Sequence, residues 1–159
     1  MTDTEAPARG SLHESYRSVF ESSPLPMYVL DLSTLQFLEA NDAAVRHYGY
    51  TREELLKMSA ADLWPSEDAE KNRETASHPL PLRGVFMRHR KKDGSLRWVD
   101  VYVSALTFDG RPSRLVLVND VTQRLADEEA RKAAESRYAR LRDSGVIGIL
   151  VNKIGRAHV

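Results

Sequence analysis

The strictest constraint on this chain is the alternation in "LRWVDVYVSAL", residues 96–106. Val99, Val101, Val103 and Ala105 take every second position, and Trp98, Asp100, Tyr102 and Ser104 fall between them. Successive strand residues point to opposite faces, so this segment reads as a strand with one apolar face. Asp93-Gly94 precedes it and Asp109-Gly110 follows it, and such dipeptides favour tight hairpin turns. The turns predict three consecutive strands, over residues 82–92, 96–108 and 114–121.

Upstream the texture differs. Residues 27–31 and 36–40 read as strands, and Asn41 is placed to cap a short helix ending at Tyr48. Thr51 with Glu54 forms a capping-box pattern before "REELLKM", and Ser66 is expected to cap residues 67–77, which end at His78-Pro79. Ser11 with Glu14 opens an earlier helix carrying Leu12, Tyr16, Val19 and Phe20 at helical spacing, and the prolines of "SSPLP" close it. Residues 1–10 are expected to be disordered. Two strands, several short helices and a three-stranded meander imply an α+β domain built on an antiparallel sheet.

Residues 122–143 predict one long helix. Asp127 with Arg131, and Glu128 with Lys132, are acid-before-base pairs at i,i+4. Its apolar stripe of Ala126, Ala130, Ala134, Tyr138 and Leu141 is thin for a coiled coil, which favours leucine and isoleucine at the seam. A solvated linker and a weak, switchable dimer seam both fit it.

Composition narrows the functional classes. The 159 residues carry a formal net charge of +0, so no bulk attraction to nucleic acid or anionic membrane is expected. With no cysteine, disulfides, thiolate metal sites and cysteine nucleophiles are excluded. No apolar stretch approaches a membrane span, and "MTDTEAPARG" lacks the apolar core of a secretory signal, so a cytoplasmic location is expected. HExxH, GxSxG and Walker motifs are absent, and the fragment is expected to be non-catalytic. His13-Glu14 lacks the context of a phosphoacceptor box. The basic run Arg88 to Lys92 reads as a solvated hairpin end rather than a nucleic-acid contact, because strand residues alternate faces.

"NDAAVRHYGYTREELLKM", "LWPSED", "RHRKKDGSLRWVDVYVSAL" and "LVLVNDVTQR", in this order, resemble the PAS sensor domain. The resemblance implies a five-stranded antiparallel sheet with short helices on one face. An N-terminal capping helix completes the domain over residues 11–122, and a signalling linker helix follows over 123–143. Asp120, Val121 and Thr122 match the family's Asp-Ile/Val-Thr motif, the joint between last strand and output helix. "SSPLPMYVLD" aligns with "DSGVIGILVN", Ser23 on Ser144 and Asp31 on Asn152, which resembles the start of a second, truncated PAS domain over 144–153. Residues 154–159 match the translation of a common sequencing adapter, and are expected to be read-through.

In this family the pocket can hold flavin, haem, a small metabolite or nothing. The flavin photoreceptor branch needs a cysteine where Ala60 stands, and amides where Val99 and Val118 stand, so cysteinyl-flavin chemistry is excluded. Haem requires an axial ligand. None of His47, His78 and His89 stands in an arrangement resembling the haem-binding branch, and no cofactor and no metal site are expected. Val85, Met87, His89, Val99, Val101, Val103, Val116 and Val118, with Tyr48 and Trp64, are the candidate pocket wall. They either fill a core or line a site for a small apolar ligand. The implied function is a sensory or dimerisation module. It is expected to homodimerise through its N-terminal and linker helices and to relay a signal to a downstream PAS and an output domain. That output is expected to be a histidine kinase of a two-component system, with a diguanylate cyclase, a transcription regulator or a ligand-free interaction module as alternatives.

Overall fold

Five strands form one antiparallel sheet in the order β2-β1-β5-β4-β3. They are β1 (Met27–Asp31), β2 (Phe37–Ala40), β3 (Leu82–Arg90), β4 (Leu96–Phe108) and β5 (Arg111–Asp120). The computed structural model describes residues 9–145. Of residues 1–10, expected to be disordered, 1–8 lie outside the described residues and the last two are helical instead. The second-domain start beyond residue 145 and the adapter-like residues 154–159 also lie outside them. The chain divides into two units between Val121 and Thr122.

The meander follows its turn chemistry. Asp109 and Gly110 both adopt positive φ, 48° and 72°, the twist a two-residue hairpin needs. β4 then pairs with β5 from Phe108↔Arg111 to Val99↔Asp120. β1 inserts beside β5 with Tyr28 opposite Val116, and this long-range pairing closes the sheet. Val99, Val101 and Val103 are buried, whereas Trp98 and Tyr102 are 39% and 42% exposed. Ala105 departs from the expected apolar face and is exposed, because β4 runs on past the helices that cover the valines.

Short helices between β2 and β3 cover that inner face. Asn41 caps α2 (Asp42–Tyr48) as expected, accepting from the Ala44 amide at 2.9 Å. It does more than cap. Its Oδ1 also accepts from Met27 N, and its Nδ2 donates to the carbonyls of Phe20 and Leu25. One fully buried amide, with every bond made, thus ties α1 (Arg9–Ser22), β1 and α2 together. Gly49 ends α2 at φ 81°, a left-handed cap that a Cβ would strain. Thr51 caps α3 (Arg52–Leu56) through the Glu54 amide.

Several local expectations are corrected. α1 starts at Arg9, ahead of Ser11, and of its apolar stripe Phe20 is buried while Val19 is 68% exposed. One helix face cannot cover the i and i+1 positions equally well. Ser66 does not cap the next helix. It lies in a 3₁₀ turn, Ser66–Asp68, that leads into α4 (Ala69–Ala76). A second 3₁₀ turn, Ala60–Leu63, is held by Asp62 accepting the Ser59 amide at 2.9 Å, and it drives Leu63 and Trp64 into the core.

The second unit begins with α5 (Thr122–Asp143), which has no buried residue. Arg131 does not pair with Asp127 as expected. It bonds Glu128 and Glu135, while Asp127 accepts from Gln123. Tyr138 and Leu141 of the apolar stripe are 57% and 41% exposed. No helix among the described residues is long and apolar enough to cross a membrane.

Candidate functional site: the inner face of the sheet

A cavity of about 50 Å³ lies between the inner face of the sheet and the short helices. Of the expected wall, Trp64, Val85, Met87, His89, Val101, Val103 and Val116 line it. Tyr48, Val99 and Val118 do not; each is fully buried in the core beside it. Tyr28, Leu35, Asn72, Thr75, Leu82 and Arg114 are among the further lining residues that were not expected. Asn72 and Thr75 sit on α4, whose charged sequence AEKNRETA has no apolar stripe to mark it as a cavity wall.

One set of polar groups on this face is closed. Tyr48 Oη lies 2.8 Å from His89 Nδ1, and His89 Nε2 lies 3.2 Å from Met87 Sδ. The Tyr28 ring stands edge-on to Tyr48 on the other side, 6.4 Å between ring centroids. The directions are mutually consistent: Tyr48 donates to Nδ1, and Nε2–H to sulfur. That order requires a neutral imidazole. Burial, then the neighbouring His47, push the His89 pKa down to about 3, with Asp120 opposing weakly. Burial also raises the Tyr28 and Tyr48 phenols.

A second set lies where the sheet ends. Asp120, the last residue of β5, accepts from His47 Nε2 at 2.8 Å and from Arg97 Nε at 2.7 Å through the same oxygen. Val121, next in the chain, is buried and donates its amide to the Trp98 carbonyl. α5 begins at Thr122. The three expected joint residues are therefore the end of the sheet, a buried plug and the first residue of the long helix.

The basic run is largely neutralised. Arg88 bonds Asp68 and Glu67 and sits 5.6 Å above the Trp98 ring, His89 is buried, and Lys92 bonds Glu54. The carboxylates beside Arg88 raise its pKa, and Arg88 in turn lowers that of Asp68. Among the described residues no group of three histidine, aspartate or glutamate side chains is arranged to hold a metal ion.

A family model described as PAS fold matches residues 14–121, the stretch that carries the sheet, its helices and this cavity. The chain belongs to the PAS family. A domain of a sensory box sensor histidine kinase/response regulator from Geobacter sulfurreducens superposes with a TM-score of 0.62. It is 22% identical, covering 72% of this chain and 98% of that one. The PAS domain of a two-component sensor histidine kinase gives 0.56 at 23% identity, covering 70% and 99%. Among curated proteins, the methyl sulfide methyltransferase-associated sensor of Methanosarcina acetivorans is 24% identical over 84% of this chain. The chain spans only 14% of that relative. The protein carries a PAS sensory domain.

Proposed function

We propose that this PAS domain is the input module of a signalling protein, relaying a change at its inner face through Asp120–Thr122 to α5 and on to a histidine kinase output. The observation that carries the relay is Asp120. It gathers contacts from α2 and β4 at the point where β5 ends, two residues before α5 starts. A ligand shifts such a module only by binding its two states with different affinity. The similarity to domains of sensor histidine kinases supports the kinase output. The small cavity and the closed His89 favour a ligand far smaller than haem or flavin. Homodimerisation through α1 and α5 fits the exposed apolar residues those helices carry, Val19, Tyr138 and Leu141.

A second reading, a ligand-free interaction module, is favoured by the exposed stack of Phe86 on Trp98, 4.8 Å apart on β3 and β4. Asp120→Ala separates the two. The relay predicts faster amide exchange in the first turn of α5 with little change in β1. In the full-length parent it predicts autophosphorylation that no longer follows the input. Unchanged exchange together with unchanged regulation would refute it.

A further inference from the structure

The lining of the cavity is apolar except for a few groups, and these divide by what they still need. His89 has both ring nitrogens engaged. Thr75 Oγ1 donates to the Lys71 carbonyl at 3.0 Å. Asn72 differs. It is only 4% exposed, and its Nδ2 is buried with no hydrogen-bond partner. An unpaired buried amide is costly, and native proteins seldom leave one.

Arg114 on β5, a half-buried side chain, lines the same cavity. Its Nε donates to the Leu32 carbonyl at a long 3.3 Å, and among the described residues it meets no carboxylate. Partial desolvation lowers the Arg114 pKa, which an anion beside it would reverse. Asn72 Nδ2 and the guanidinium are donors, so the missing partner must supply acceptors. The rest of the wall, Leu35, Leu82, Val101 and Val116 among it, asks for hydrocarbon.

We infer that this cavity is the binding site of a carboxylate of one or two carbons, its oxygens accepting from Asn72 and Arg114 and its carbon packing on the sheet. The size limit follows from the volume. A cavity of about 150 Å³ takes benzene, and this one is about a third of that. The inference rests on the sensory reading for its consequence, because it names the chemistry of the signal.

The test is a thermal-unfolding series on the whole chain at constant ionic strength. Sodium formate and acetate are compared with sodium chloride, and acetamide and ethanol serve as neutral controls. At least one carboxylate should raise the midpoint by about 2–4 °C at saturating concentration, with neither neutral control matching it. Trp64, on the cavity wall, reports the same binding by fluorescence. Asn72→Leu and Arg114→Gln should each weaken it at least tenfold. Arg114→Gln alters a partly exposed side chain, so the comparison survives if the α4 variant folds poorly.

No shift with any carboxylate, or an ordered water alone on Asn72 in a crystal grown in acetate, would overturn the inference. Equal shifts with the neutral controls, or affinities unchanged in both variants, would do the same. Failure here leaves the Asp120→Ala exchange result standing. Failure of that result leaves a carboxylate site without a relay.

Discussion

Two sets of polar groups share the inner face of the sheet, and they are built on opposite terms. Around Tyr48 and His89 every donor meets an acceptor, including a methionine sulfur, and the ring is held neutral. At Asn72, which shares the cavity wall with Arg114, a buried donor is left over. A saturated buried network specifies one arrangement and gains nothing from a visitor, whereas an unsaturated one loses stability until something binds. The first set is therefore architecture, and the second is where the domain can respond.

Tyr48→Phe is the severest test of that contrast. It strips the donor from the buried His89 Nδ1 and should cost about 2–3 kcal/mol in urea unfolding. A loss within experimental error would mean that the closed network is only apparent.

Acid comes next. The His89 pKa is lowered on folding, so the unfolded chain binds the extra proton. His89's contribution is complete above the unfolded pKa near 6.5 and falls as pH drops toward about 3. Between pH 7 and pH 5 this removes about 2 kcal/mol, which His89→Gln should largely abolish when urea midpoints are compared at the two values.

The smallest effect has the opposite sign. Asn72→Leu removes an unpaired amide and should stabilise the free protein by about 1 kcal/mol. A destabilised variant would show that Asn72 is already satisfied, and would close the gap between the two sets.

Local readings held where the cause was local. The Val99–Val103 alternation, the Asp109-Gly110 turn and the caps at Asn41 and Thr51 each depend on neighbours within a few residues, and each forms as expected. Ser66 was misread because a 3₁₀ turn and a cap share the same residue preferences. Val19 was misread because helical spacing shows that a face exists but not how wide a strip the partner covers.

The sequence by itself determined the strand periods, the turns and the junction at Asp120–Thr122, and with them membership of the PAS family. Only the tertiary structure decided which side chains wall the cavity and which of them remain unpaired. His47 meets Asp120 across 73 residues of chain, and Tyr48 meets His89 across 41. Asn72 sits on a helix that reads as wholly solvated. Periodicity records which way a side chain points. Whether its hydrogen bonds are completed depends on what arrives opposite it, and that partner comes from elsewhere in the chain.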